Sequence, residues 1–465
     1  MLRAWQQECL TSAKKHYAES SKHFLCLATP GAGKTVLAAE VAAYLFETNQ
    51  IDFVLCFSPS ITVAEGIKNT FSHRLNCNFD GVIGSIGCSY TYQNMRFFNE
   101  DYWKIIKKNR VLVVFDEIHH CAGTSLDDAN AWGQDIVQNI QEQAAFTLAL
   151  TGTPWRSDLT PIALANYSDP DNKIQCDYTY SLQQAVKDGV CRNPKIVLID
   201  NEEISVTTQK QETKVFNSLH DLLKDPSISY QDLICHEVVI RYILEKGCNK
   251  LAEIRQFNTD AGGLIVASSV EHAQQILRML TEQLQQTAVI VTYKEPNAAD
   301  RIKHFRFCNT QWIVSVGMVA EGTDIPRLQV CCHLSRVKTE LYFRQVLGRI
   351  LRVNSSANQE AWLFTFAEEK LSIFANRIDQ ELPDASVLVR SNALANHFDI
   401  TTGSKKTATS STDQKSPSIE SLFDDLSLSG NSNDAQLETE NASIPAYLES
   451  FGGFREKLIE VFSPI

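Results

Sequence analysis

The stretch Ala28-Thr29-Pro30-Gly31-Ala32-Gly33-Lys34-Thr35 constrains this chain more than any other. Residues 24–28 ahead of it form an apolar run with the look of a buried strand, and residues 34–47 behind it have the pattern of a helix. Strand, glycine-rich turn and helix in that order make a cradle for phosphate. The glycines let backbone amides approach phosphate oxygens, and the helix N-terminus adds positive dipole. Lys34 is expected at the β- and γ-phosphates of a nucleotide, Thr35 at a Mg²⁺ ion, and Thr29, Gly31, Ala32 and Gly33 along the loop. Ala28 stands where the strict GxxxxGK[ST] pattern has its first glycine.

A second signal lies downstream. Val111-Leu112-Val113-Val114-Phe115 is a strand candidate that runs into Asp116-Glu117. An acidic pair closing an apolar strand is the other half of an ATP site: Asp116 for Mg²⁺, directly or through water, and Glu117 to accept a proton from the attacking water. His119, His120 and Cys121 follow without a further ligand cluster nearby, so His119 is expected to couple rather than to bind metal.

Strand and helix patterns alternate around these motifs. Residues 52–57 and 147–150 add strands, with a helix starting at 61. The rhythm pauses between about 157 and 262, where Pro154, Pro161, Pro170 and Pro194 punctuate the first part and 231–257 looks like one amphipathic helix. After Gly262-Gly263 strands return at 264–267, 288–291, 313–316, 330–333 and 361–364. The fold class is therefore α/β, with two parallel sheets covered by helices. Expected boundaries are 1–175 for the first domain, 176–260 for a helical insertion and 261–398 for the second domain. A disordered acidic linker over 399–443 follows, poor in large apolar residues, and 444–465 is a short apolar segment, expected to form a helix.

Composition excludes little but directs the rest. A net charge of -12 argues against a surface coated in basic residues, yet contact with nucleic acid needs only a local basic groove. The 13 cysteines contain no Cys-x-x-Cys pair, so a zinc ribbon is unsupported and buried reduced thiols are expected. No stretch approaches a membrane span of ~20 apolar residues, and Met1-Leu2-Arg3-Ala4-Trp5 lacks a signal-peptide core, so the expected compartment is the cytoplasm.

Asp116-Glu117-Ile118-His119 resembles the DExH box of superfamily 2 helicases, and other motifs of that family appear in order. Leu2-Arg3-Ala4-Trp5-Gln6 resembles the start of the restriction-enzyme R-subunit-like branch. Ser58-Pro59-Ser60 and Tyr90-Thr91-Tyr92-Gln93 fall at motifs Ia and Ib, Thr151-Gly152-Thr153-Pro154 at motif III, and residues 264–269 at motif IV. Glu321-Gly322-Thr323-Asp324-Ile325-Pro326 resembles motif V. Gln345-Val346-Leu347-Gly348-Arg349-Ile350-Leu351-Arg352 fits motif VI. The resemblance covers about residues 2–380 and implies two tandem RecA-like domains that close on ATP and Mg²⁺. It gives Gln6 the adenine, Gly322 and Asp324 the nucleotide with Asp324 at the ribose, and Arg349 and Arg352 the γ-phosphate. Those two arginines, with Gln345, are expected on one face of a helix.

The implied activity is an ATP-dependent helicase or translocase on nucleic acid, DNA more than RNA, whose contacts follow the backbone. The alternative is an ATP-gated nucleic-acid sensor, or a recruitment subunit of a restriction or defence complex, that engages a protein partner through residues 399–465.

Overall fold

The computed structural model describes residues 2–19, 21–123, 129–156, 158, 160–168, 173–208, 213–295, 297–317, 324–354, 356, 358–378 and 446–462. Two parallel sheets stand in tandem. The first contains β1 (His23–Ala28), β2 (Phe53–Ser58), β3 (Gly87–Thr91), β4 (Val111–Asp116) and β5 (Phe146–Thr151). After a short hairpin of β6 (Asn166–Tyr167) and β7 (Ile174–Gln175) it is completed by β8 (Tyr178–Tyr180). Its order is β3-β2-β4-β5-β1-β8, parallel throughout.

All six residues of β4 are buried. Leu112 and Val114 join the core beneath the Lys34–Glu47 helix, while Val111, Val113 and Phe115 join the core on the opposite face. Two covered faces explain why this strand reads as a continuous apolar run rather than an alternating one. The order β4-β5-β1 sets three carboxyl ends side by side, with Asp116 opposite Leu150 and Leu27 opposite Thr151. Ligands of open α/β sheets collect at such ends.

The second sheet draws on β9 (Asn193–Asn201), β12 (Gly262–Ala267), β13 (Ala288–Val291), β14 (Trp312–Ser315), β15 (Leu328–Leu334), β16 (Glu360–Phe366) and β18 (Phe454–Glu460). Its order is β13-β14-β12-β15-β16-β9-β18, with β18 alone antiparallel. A three-stranded antiparallel sheet joins β10 (Ile204–Thr208) to β11 (Thr213–Phe216) and β17 (Ala446–Phe451).

Three expectations change. The segment 176–260 is no separate insertion: β8 extends the first sheet, and β9 pairs with β16 in the second. The single helix expected over 231–257 divides into Tyr230–Cys235 and Glu237–Arg255, because His236 adopts an extended backbone with φ -73° and ψ 130°. The apolar end segment forms strands instead of a helix. β18 covers the outer edge of β9, satisfying backbone groups that a bare edge would expose. The linker expected over 399–443 lies outside the described residues, as do 379–398 and Gly322. Among the described residues no helix is long and apolar enough to cross a membrane.

Candidate active site

The expected phosphate cradle begins where β1 ends. Gly31 and Gly33 hold φ of +83° and +96°, a left-handed backbone that a side chain would strain, and Gly33 caps the Lys34–Glu47 helix. Ala28 is fully buried and paired with Tyr180, so the position that departs from the strict pattern is a core position of the sheet. Thr29 is buried behind the loop, its amide donating to the Tyr180 carbonyl at 3.1 Å. Thr35 follows on the first helical turn, half-buried. The Lys34 ammonium is buried, donates to the Ala28 carbonyl at 3.2 Å and pairs with Glu117 Oε1 at 3.1 Å.

Gln6 docks on this loop. Its Nε2 donates to the Gly33 carbonyl at 2.9 Å, and its Oε1 accepts from the Arg3 amide at 2.9 Å. Arg3 Nη1 donates to the Ala32 carbonyl at 2.6 Å. The first helix is thus pinned to the cradle by the residues that mark its start.

Asp116 and Glu117 are neighbours with opposite protonation tendencies. Burial, aided by the Glu117 charge, pushes the Asp116 carboxyl up to about 7, against the pull of Lys34, His120 and Arg349. Its Oδ1 is buried and, among the described residues, finds no hydrogen-bond donor. Burial also acts on Glu117, but Lys34 and His119 outweigh it and hold that carboxyl well below the usual range. Its Oε2 accepts from the Gly152 amide at 3.2 Å. Glu117 further adopts φ +54°, an uncommon conformation for a residue with a side chain and one that concentrates at functional sites. Paired carboxyls pushed apart in this way can take different roles. That unpartnered carboxyl oxygen on Asp116 suits a hard cation such as Mg²⁺, which prefers oxygen ligands, with Thr35 the other expected ligand.

His119 Nδ1 lies 2.9 Å from the Thr151 hydroxyl and 3.4 Å from that of Thr153. Motif III and the acidic segment are therefore in direct contact. Arg156 supports them: it is buried, donates to the His119 carbonyl at 2.7 Å and pairs with Asp158 at 2.9 Å.

The second sheet's half meets this site closely. The Glu340–Ile350 helix carries buried Gln345 and half-buried Arg349, and the positive charge of Arg349 reaches Asp116. A Cβ built on Gly348 would stand 2.7 Å from Pro30 Cβ, so only glycine permits this approach. Arg352 departs from expectation. It lies past the helix end at Ile350, in a bridge with Cys191, so it does not share a helical face with Arg349. Its side chain nonetheless reaches the cradle, with Cγ 3.2 Å from a Cβ built on Gly31. Asp324 is engaged by Arg352 and by Arg306, the latter at 3.0 Å.

Cys191 and Arg192 were not expected at all. Cys191 Sγ donates to the Pro30 carbonyl at 3.5 Å. The fully buried Arg192 donates to the carbonyls of Pro326 at 2.9 Å, Leu328 at 2.6 Å and Ile350 at 3.2 Å. They tie the connection between the sheets to the cradle and to motifs V and VI. No periodicity or motif marks them, since their partners lie more than 130 residues away.

Comparison with known proteins agrees with this architecture. Residues 1–156 match the family described as the res subunit of type III restriction enzymes. An uncharacterised protein of Mycobacterium leprae is 30% identical over 369 residues, 76% of this chain and 59% of its own length. Another, from Mycobacterium tuberculosis strain ATCC 25618 / H37Rv, is 30% identical over 373 residues with the same coverage. The chain thus spans 59% of the length of the curated relatives it matches. Among solved structures, a fragment assigned to the HsdR subunit of a type I restriction enzyme from Vibrio vulnificus YJ016 superposes with a TM-score of 0.55 at 16% identity. The match covers 82% of this chain and 67% of that one. Over its first 156 residues the chain thus matches the res-subunit family of type III restriction enzymes, and it shares its tandem-sheet fold with the HsdR fragment.

Proposed function

We propose that this chain is a nucleic-acid-stimulated ATP hydrolase that moves along or unwinds DNA. One observation carries the reading: Lys34, Asp116 and Glu117 on the first sheet face the Arg349 charge and the Arg352 side chain from the second. A site divided between two bodies lets hydrolysis drive them together and apart. The res-subunit match favours DNA over RNA.

Each residue then has a task. Lys34 exchanges Glu117 for the β- and γ-phosphates of bound ATP. Glu117, held ionised, takes the proton of the attacking water. Arg349 and Arg352 stabilise the charge that grows on the transferred phosphoryl group. Asp116 and Thr35 would hold Mg²⁺, which would supply charge neutralisation to the reacting phosphates. Thr151 and Thr153 pass the state of His119 to the strand-binding groove. Gln6 is tied to Gly33 and Arg3, which supports it as a sensor of cradle geometry as much as an adenine reader. Recruitment through 399–465 has less support, because residues 446–460 are occupied in strand pairing within the chain.

The test is ATP turnover with single- and double-stranded DNA and RNA, beside strand-displacement and triplex-displacement assays. Lys34→Ala and Glu117→Gln should each abolish stimulated turnover. Full activity in either variant overturns the site assignment.

A further inference from the structure

The contact between the two halves includes a pair that lies outside the Gly31–Thr35 turn and the Asp116-Glu117 pair. Trp155 follows Thr151-Gly152-Thr153-Pro154 directly. The Arg344 guanidinium, on the Glu340–Ile350 helix, stands 5.3 Å from the centre of its ring.

Arg344 is fixed from its own side. Its Nε and Nη2 donate to Glu340 Oε1 at 3.0 and 2.9 Å. Its Nη1 and Nη2 donate to the carbonyls of Ile378 and Arg377 at 3.2 and 3.0 Å. Glu340 is buried, and buried Arg377 pairs with its other oxygen. A guanidinium so held has little conformational freedom left to lose when an aromatic face arrives, and attraction between cation and ring grows as water is excluded.

Both partners connect to the site. Trp155 continues the segment whose hydroxyls bond His119 and whose Gly152 amide holds Glu117. Arg344 lies four residues before Gly348, on the same helical face, and that helix also carries Gln345 and Arg349. One face of one helix therefore meets Trp155 through Arg344 and Pro30 through Gly348.

We propose that Trp155 and Arg344 form a latch between the two halves, positioning residues that keep Arg349 in register with Asp116 and Glu117 during hydrolysis. The proposal rests on reading Arg349 as the cation that acts in the transition state. The latch acts on turnover rather than on nucleotide capture, which belongs to the cradle.

The experiment measures kcat and ATP KM of the full chain with its best-stimulating nucleic acid. It compares Trp155→Leu, Trp155→Phe, Arg344→Ala, the Trp155→Leu/Arg344→Ala double variant and Arg349→Ala. Trp155→Leu keeps apolar bulk and removes the ring. It should lower kcat about tenfold and leave ATP KM within about threefold, the pattern of an interaction made in the transition state. Trp155→Phe should restore at least half of kcat, and the double variant should be no slower than the slower single one. Wild-type kcat in Trp155→Leu, or fully multiplicative losses in the double variant, overturns the latch when Arg349→Ala is inactive. Full activity of Arg349→Ala instead removes the reading beneath it.

Discussion

Gly348→Ala is the substitution for which the structure makes the sharpest demand. The added Cβ would lie 2.7 Å from Pro30 Cβ and 3.0 Å from its Cγ. Carbon atoms settle at roughly 3.5–4.0 Å, so the two groups must part by about 0.8 Å or more. Neither can yield alone, since one is a proline ring in the cradle and the other sits inside the Glu340–Ile350 helix. The helix as a whole therefore backs away and takes Arg349 with it. Displacement of a catalytic group by about 1 Å costs on the order of 10²-fold in rate, close to 2.7 kcal/mol of transition-state stabilisation. Alanine's helix preference of about 1 kcal/mol is offset by the overpacked contact, which costs about 1–3 kcal/mol. The expected variant melts at or somewhat below the wild-type temperature and turns over ATP about a hundredfold more slowly. Steady-state ATPase with saturating nucleic acid, beside a thermal melt, reads both. Near wild-type kcat refutes the claim that Gly348 and Pro30 approach this closely in the state that hydrolyses.

Asp116 predicts a pH dependence. Its carboxyl sits at about 7, so the neutral form favours the metal-free fold at low pH and that contribution is lost as pH rises through about 7. A bound cation must displace the proton, so Mg²⁺ affinity should fall about tenfold per pH unit below 7 and level off above it. Mg²⁺ titrations followed by calorimetry between pH 5.5 and 8.5 check this, and a flat profile overturns the assignment of Asp116 as ligand. Arg352→Ala should lower turnover by roughly two orders of magnitude or more, with nucleotide affinity changed only modestly. Unchanged kcat in rapid-mix ATPase measurements removes Arg352 from the site.

Local chemistry was the legible part. A cradle needs glycines at left-handed positions and a lysine at the helix start, and those constraints fall on adjacent residues, so Gly31, Gly33, Lys34 and Thr35 declare themselves. The apolar run ending in Asp116-Glu117 does so too, because a strand buried on both faces must be apolar at every position. Most central strands follow for the same reason, from β1 and β4 to β15 and β16.

Other features depend on partners far along the chain. β9 contains a proline and follows an irregular stretch, and it becomes a strand because β16 lies open beside it. Residues 454–460 fit helix or strand by pattern alone, and the bare edge of β9 decides between them. Arg352 reaches the cradle from beyond its helix through the bridge to Cys191, which helical spacing could not foretell. Trp155 and Gly348 belong to the same group, each mattering through a contact made only once the two sheets stand together, while Arg192 matters through carbonyls more than 130 residues along the chain. The sequence by itself determined which groups could handle phosphate, metal and proton, because that chemistry is carried within single turns and strand ends. Tertiary structure alone decided how the two halves meet, because that depends on packing between residues more than a hundred positions apart.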